Sequence, residues 1–369
     1  MSFSFGIFDS FNLGDAAPGP VIGSRLDFAV AAEAAGIGHY HVTEHHGTPL
    51  SVCPAPNLFL AALSQRTTRL RIGALVYVLP AYEPLRLAEE IAILDQLTHG
   101  RLDVGVGSGV SPYELAYFGV DHGQARARYA EILDVVTRAL ATGRMTHTGT
   151  LLRDYDVELS VGPVQHPYPP LWYASSNTAT AGWAGAHNVN FVGRWNGGGF
   201  LPAAQTYWQA WADRHDAATV PRPRLGFAAN VYIGATDGAA MDRFRKANDV
   251  FARQLTKLWH DHGNHQVDAL YDTDRDHRQW QLPGRVGGDG PRPARRPGPA
   301  GAGQLLRGHS GLRRPDPRRG PGQPGRLRRN RAARRPPGCC RTVSASPGPY
   351  RSRRPELAPP GPGARQCRA

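Results

Sequence analysis

Short apolar runs alternate with helix-like segments through most of this 369-residue chain. Seven apolar runs are predicted to be β-strands: residues 3–9, 39–45, 70–79, 101–109, 170–176, 188–195 and 225–233. Segments with helical periodicity follow most of them, at residues 24–36, 56–67, 84–98, 125–141 and 239–262. Repeated strand–helix alternation predicts a parallel sheet covered by helices.

The number of strand–helix units favours an α/β fold of the TIM (β/α)8 barrel type. Seven units in about 280 residues fit a barrel, which typically takes about 250, better than a doubly wound sheet. No GxGxxG opens the first strand–helix turn, which weakens a dinucleotide-binding interpretation. Only seven strands are found before residue 283. We therefore expect residues 1–282 to form one barrel domain without its eighth strand and helix.

The composition changes near residue 283. Residues 283–369 contain 17 Pro, 16 Gly and 21 Arg but no Lys, Ile, Phe or Trp, so we expect a low-complexity, disordered tail. The tail has 21 basic and 3 acidic residues and thus a net charge of +18. Residues 1–282 have 22 basic and 27 acidic residues and thus a net charge of −5. The tail could bind nucleic acid through its charge. Tyr350 is its only aromatic residue, so base stacking is scarce and no specific nucleic-acid partner is expected.

A different sequence emerges when the tail codons are read one base later. Residues 303–320 then allow GNYFVGT-AFGD-THDEA, with Leu allowed at the second gap. This is an apolar strand with a Gly-rich end. We predict that a frameshift near residue 283, in the gene or in its sequencing, replaced strand eight and its helix. The resulting open sheet would have unpaired edges and would be an aggregation-prone, inactive barrel remnant.

Membrane insertion and secretion are not expected. No uncharged apolar run approaches the roughly 18–20 residues of a membrane span. The first residues lack a positively charged start and include Asp9, unlike a secretory signal. Residues 1–282 contain a single cysteine, Cys53, and no CxxC pair, which fits a reducing cytoplasm.

Residues suited to chemistry cluster at the ends of the predicted strands, where α/β barrels place their active sites. Glu44 and His45 end predicted strand two, and His46 comes directly after it. Adjacent strand residues point to opposite faces and no HExxH spacing is present, so we expect no metal here. One of these histidines is instead a site residue or a buried structural one.

Three further strand ends offer ligand contacts. Gly107 and Ser108 lie in a glycine-rich run whose N–H groups suit a phosphate or a flat ring, although such runs are also common at turns. Ser176 and Thr178 precede a predicted helix and either bind phosphate or cap the helix. Trp195 is either a core residue or a wall for an aromatic ligand.

The order of the segments EHHG, LVYVLPAYEPLRLAEEIAILDQLTHGRLDVGVGSG, SPYELAYFGVD and PLWYASS resembles the bacterial-luciferase-like flavin-dependent monooxygenases over about residues 3–260. The resemblance implies a barrel that binds FMN, delivered reduced by a separate flavin reductase. It implies a monooxygenase, acting on paired donors, that uses O2 to oxidise a small organic substrate. Some relatives use a deazaflavin for hydride transfer, which is the alternative. A homodimer or heterodimer is compatible with the resemblance.

The resemblance also assigns roles to single residues. His45 matches the catalytic histidine, which stabilises the peroxyflavin and assists proton transfer. Leu75 and Val76 match the end of strand three, where the family often has a non-proline cis peptide behind the flavin ring.

The remaining matches concern cofactor binding. Gly107 and Ser108 match the end of strand four, where Ser108 replaces an arginine common in FMN-binding members, so a charge-assisted phosphate contact is missing. Ser176 and Thr178 resemble phosphate-binding hydroxyl residues, and Trp195 resembles the tryptophan beside the flavin ring.

Overall fold

Seven parallel strands form one sheet in the computed structural model, which describes residues 3–195 and 200–268. The strands are β1 Gly6–Asp9, β2 His39–Val42, β3 Arg71–Val78, β4 Leu102–Gly107, β7 Leu171–Ala174, β8 Asn190–Arg194 and β9 Leu225–Ala228, and they are paired in that order. All seven predicted strands are confirmed, and each observed strand lies within its predicted range. The sheet is nearly closed into a barrel.

The sheet is covered by helices that follow the strands along the chain. They are α1 Pro18–Ala34, α2 Pro56–Ser64, α3 Pro84–Thr98, α4 Pro112–Tyr117, α5 Ala125–Thr142, α6 Thr178–Ala186, α7 Phe200–Ala212 and α8 Asp237–Asp261. The predicted start of the first helix at residue 24 is wrong, because the helix begins at Pro18. Proline fits the first turn of a helix, where its missing N–H has no partner to lose. Helices α4 and α7 were not predicted.

An antiparallel hairpin interrupts the alternation after α5. It consists of β5 Arg144–His147 and β6 Tyr155–Glu158. Each strand has only four residues within a polar stretch, so its alternation is too short to identify from the sequence. Met145 and Tyr155 are its buried residues, and they join the main core.

The core lies between the sheet and its helices. Tyr40 of β2, Ile72 of β3 and Val104 of β4 pack with Leu87 and Ile91 of α3 in the main cluster. Each of these side chains is at most 3% exposed. Burying an aliphatic side chain of this size contributes about 1.5–3 kcal/mol.

The pairing of β3 with β4 is irregular next to the strand ends. The register shifts between Ala74 and Tyr77, and the intervening peptide bond between Leu75 and Val76 is cis. The two strands approach closely here. A Cβ atom on Gly105 would lie 2.4 Å from the carbonyl oxygen of Ala74, and one on Gly107 would lie 2.5 Å from Val76 Cγ2. Only glycine fits at these two positions without displacing β3.

We expect Gly105→Ala to lower the free energy of unfolding by about 1–3 kcal/mol, because the added methyl group overpacks against backbone atoms. Gly226→Ala in β9 is the matched control, since its Cβ would meet only Val192 Cγ2 at 4.0 Å. Urea unfolding of both variants checks this. Equal stability of the two variants would contradict the close approach.

The two outer strands of the sheet come near each other at their amino ends. Arg224, which precedes β9, donates from Nη1 to Ser4 Oγ, which precedes β1, at 2.9 Å. The predictions of a disordered tail and of a replaced eighth strand concern residues 283–369, which lie outside the described residues. No helix within residues 3–195 and 200–268 is long and apolar enough to cross a lipid bilayer.

Candidate active site

His45 is held by a carboxylate on the next-but-one strand–helix connection. Strand β2 ends at Val42, so His45 lies in the turn after the strand, not within it as predicted. Its Nδ1 is 3.2 Å from Glu114 Oε1, and the backbone N–H of His46 donates to Glu114 Oε2 at 2.8 Å. A carboxylate against Nδ1 favours the tautomer that carries its proton there, which leaves the Nε2 lone pair available.

The position of Glu114 follows from a helix start. Ser111 is the N-cap of α4, and its side chain accepts a hydrogen bond from the backbone N–H of Glu114 at 3.3 Å. The pattern S-x-x-E is that of a capping box, but here the glutamate contacts the His45 turn. Sequence reasoning did not identify Glu114, although this capping pattern signals an ordered carboxylate near a strand end.

His46 belongs to a separate network on the other side of the turn. Its Nε2 lies 2.9 Å from Glu44 Oε1, and the Tyr82 hydroxyl donates to Glu44 Oε2 at 2.6 Å. Burial, reinforced by the charge of Glu44, raises the pKa of Tyr82 above its usual range, so the phenol stays protonated. Glu44, His46 and Phe118 line a cavity of about 460 Å³ beside α2 and α3. His46 is therefore a fixed neighbour of His45.

Leu75 and Val76 stand beside the glycines of β4. The cis peptide between them, implied by the resemblance, is present. Leu75 is buried, and Val76 lies directly against Gly107. Leu75 and Val76 thus form an apolar wall, and the glycines of β4 beside them have no side chain.

Ser108 contacts an aromatic residue instead of standing free. Ser108 and the charge of the Arg126 guanidinium both act on the Tyr173 hydroxyl and favour its ionised form. Burial raises the pKa of Tyr173, and the two neighbours partly offset this effect. Arg126 lies near the start of α5, and its positive charge reaches the same hydroxyl on which Ser108 acts. Sequence reasoning missed Arg126, because nothing in the sequence connects this exposed helix residue with the end of β4.

Ser176 and Thr178 lie at the start of α6, and both are exposed. Asn177 is the N-cap of this helix, and its Oδ1 accepts from the backbone N–H of Thr180 at 3.1 Å. Asn177, and neither Ser176 nor Thr178, is therefore the residue that caps the helix. Trp195 is half-buried and its ring lies 5.0 Å from that of Phe227 in β9.

A buried charge network lies near the amino ends of the strands, on the sheet face opposite the helices. Asp103 Oδ2 is 2.9 Å from His39 Nδ1 and 3.0 Å from His41 Nε2, and Asp103 Oδ1 accepts from Arg71 Nε at 2.8 Å. Burial disfavours the ionised carboxyl group, but hydrogen bonds from both histidines and the charge of Arg71 outweigh it and hold the pKa of Asp103 well below its usual range. The geometry of this cluster would suit a metal ion. Each ligand atom already has a hydrogen-bond partner, so its role is structural.

The chain is similar to known proteins over much of its length. A family model described as luciferase-like monooxygenase matches residues 3–302. A Sinorhizobium fredii protein named "Uncharacterized protein y4wF" is 38% identical over 187 residues, which are 51% of this chain and 55% of the relative. The 4-hydroxyprotoasukamycin monooxygenase of Streptomyces nodosus subsp. asukaensis is 30% identical over 232 residues, covering 61% of this chain and 62% of the relative. The chain thus spans between about half and three fifths of the length of these relatives.

A solved structure shares the fold. It is the oxygenating constituent of 3,6-diketocamphane monooxygenase from Pseudomonas putida, a type II Baeyer–Villiger monooxygenase in complex with FMN. The TM-score is 0.59 at 20% sequence identity, and the match covers 74% of this chain and 81% of that one. With a family model that matches most of the chain, the resemblance inferred from the sequence is confirmed: this chain belongs to the luciferase-like monooxygenase family.

Proposed function

We propose that the chain oxidises a small organic substrate with O2 and reduced FMN, and that His45 is its catalytic residue. The observation that carries this proposal is the contact between His45 and Glu114 at the carboxyl edge of the sheet, close to the strand ends that carry the Leu75–Val76 peptide. In α/β barrels this edge is where catalytic groups gather.

The residues at this edge fit a flavin. The apolar wall of Leu75 and Val76 faces glycines without a Cβ, which suits a flat ring. Exposed hydroxyl groups on Ser176 and Thr178, the first N–H groups of α6 and the charge of Arg126 suit a phosphate. Leu75, Val76 and Trp195 would hold the isoalloxazine ring, and Ser176, Thr178 and Arg126 would hold the phosphate. Reduced FMN would supply the electrons that activate O2.

The role that we assign to His45 is to hold or deliver a proton at Nε2. Glu114 orients the ring through its contact with Nδ1, so that Nε2 is the atom that exchanges the proton. The Glu44–Tyr82 pair fixes His46, so the turn keeps one conformation.

A separate flavin reductase is the partner that we infer, because a fold relative is described as an oxygenating constituent and binds FMN. We place the chain in the cytoplasm, where such a reductase and a reduced Cys53 would occur together.

Anaerobic titration of the full-length chain with reduced FMN tests the proposal. We expect saturable binding of reduced FMN, and O2 uptake once a flavin reductase, NADH and a panel of small ketones, aldehydes and aromatic compounds are added. A reduced deazaflavin is titrated in parallel. Saturable binding of the deazaflavin alone would replace the proposal with hydride transfer, and binding of neither cofactor would reject both.

Arg126→Ala is expected to weaken reduced FMN binding about tenfold, because a charge-assisted contact to the phosphate is lost. Reduced riboflavin, which has no phosphate, should bind the variant and the wild type equally. Arg138→Ala is the matched control, since Arg138 is exposed on the same helix and pairs with Asp134. Equal losses for FMN and riboflavin would contradict a phosphate contact.

A further inference from the structure

The first strand of the sheet has an outer side on which no strand of residues 3–195 and 200–268 is paired. Within the described residues β1 pairs only with β2. The carbonyl oxygens of Phe5 and Asp9 accept hydrogen bonds from the β2 side. Because alternate residues of a parallel strand bond to opposite sides, the N–H and C=O groups of Gly6 and Phe8 face away from the sheet.

The last strand has the same arrangement. In the part of the chain that is described, β9 pairs only with β8. The carbonyl oxygens of Arg224 and Ala228 accept from backbone N–H groups on the β8 side. The N–H and C=O groups of Leu225 and Phe227 therefore face outward. The hydrogen bond between Ser4 and Arg224 brings the two outer strands together at their amino ends, so the outer edges of β1 and β9 flank one gap in the described part of the sheet.

Apolar side chains line this gap on both faces of the sheet. Phe8 is 48% exposed and Phe227 is 50% exposed. Phe8 lies on the same face of β1 as Gly6, which packs against His39 on the face opposite the helices. Phe227 contacts Phe200 of α7 on the helix side. A strand that filled the gap would have to be apolar on both faces.

The codons of the tail, read one base later, allow such a segment. In GNYFVGT the run YFV is apolar at consecutive positions, so it has apolar side chains on both faces. Reading on through PGQPGRLRRN (321–330) allows Leu, Leu and Phe at intervals of three residues, with Ser and Glu among the intervening positions. This spacing is typical of a helix with one apolar face. The shifted frame thus allows a strand followed by a helix, the unit that closes a barrel.

We propose that the gap between β1 and β9 is an acceptor site for this strand, and that the site binds it even when it is supplied as a separate peptide. The strand would lie parallel to both neighbours and would pair with the outward groups of Gly6, Phe8, Leu225 and Phe227. Addition of a strand to a free sheet edge is a common mode of peptide binding. The inference needs no flavin, so it stands or fails independently of the proposed function.

The site is tested with a labelled synthetic peptide, GNYFVGTLAFGDLTHDEA, in which Leu fills both gaps, since a Ser310 codon TCN followed by the G of the Gly311 codon also allows Leu. The peptide is titrated with the full-length chain and binding is followed by fluorescence anisotropy. We expect saturable binding and slower hydrogen exchange in segments 3–9 and 225–228, with no change in β4. Phe8→Lys should weaken the affinity at least about tenfold, because the apolar contact with the incoming strand is replaced by a charge. Leu201→Lys, at a 56% exposed leucine on α7, should leave the affinity unchanged.

Hydrogen exchange of β4 also shows that both variants are folded. Absence of saturable binding, equal binding of a scrambled peptide, or equal weakening by the two substitutions would overturn the proposal. Protection of segments 3–9 and 225–228 that rises with chain concentration, and that the peptide does not displace, would show that a second copy occupies the edge. Sequencing of the locus provides an independent test: a shifted frame that encodes no apolar strand would overturn the identity of the occupant.

Discussion

His45→Ala is expected to slow substrate oxidation about 100-fold when O2 is added to the complex of the chain with reduced flavin, within the range usual for loss of a general acid–base group, and to release the O2 that is consumed as H2O2 instead. The physical reason is that Nε2 of His45 is the proton-holding group that we place beside the reacting flavin. Reduced FMN affinity should change less than about threefold, because the ring and phosphate contacts lie on other residues. Stopped-flow mixing with O2 and a peroxidase-coupled assay measure the two quantities.

Glu114→Gln provides the matched test of the positioning role. The amide keeps the size of the side chain but removes the carboxylate that lies against Nδ1 and orients the imidazole, so H2O2 release should rise, though less than in His45→Ala. A merely structural glutamate would change the free energy of unfolding without raising H2O2 release. If His45→Ala leaves H2O2 release unchanged while flavin binding is intact, His45 has no catalytic role.

The part of the fold that could be predicted is the part that continuous apolar runs encode, most clearly where the strand is almost entirely buried, as in β3 and β4. Continuous apolar runs such as residues 70–79 have no other stable place in a chain of this type, so the seven strands followed from the pattern. The β5–β6 hairpin could not be predicted in this way, because its strands are short and polar. They are ordered by packing of Met145 and Tyr155 on the main core.

The candidate site divides in the same way. His45 was found because it follows a strand, whereas its contact with Glu114 joins residues 69 positions apart, which no local pattern reveals. Arg126 was missed for the same reason. Asp103 did carry a signal that was not used, since a carboxylate inside an apolar strand must find a charged or hydrogen-bonding partner. His39 and His41 are two residues apart, so they lie on the same face of β2, and both are hydrogen-bond partners of Asp103.

Asp103→Asn is expected to lower the free energy of unfolding at pH 7 by about 3–5 kcal/mol, because it leaves the Arg71 guanidinium without its buried counter-charge. Urea unfolding measures this effect. Asp156→Asn is the matched control, since Asp156 pairs with Arg144 on the surface and such pairs contribute about 0–1 kcal/mol. A loss at Asp103 no larger than that at Asp156 would show that the buried network does not stabilise the fold.

The stabilisation by Asp103 should also depend on pH in one direction. The pKa of Asp103 is lower in the folded chain than the value of about 3.9 expected when the chain is unfolded. Its contribution is therefore fully present above about pH 5 and is lost as the pH falls through 3.9 toward the folded pKa. Wild type and Asp103→Asn should consequently converge in stability as the pH is lowered from about 5 to 3. A difference between them that stays constant over this range would mean that the carboxylate charge is not the stabilising element, and that the hydrogen bonds from His39 and His41, which an amide oxygen can also accept, account for the effect.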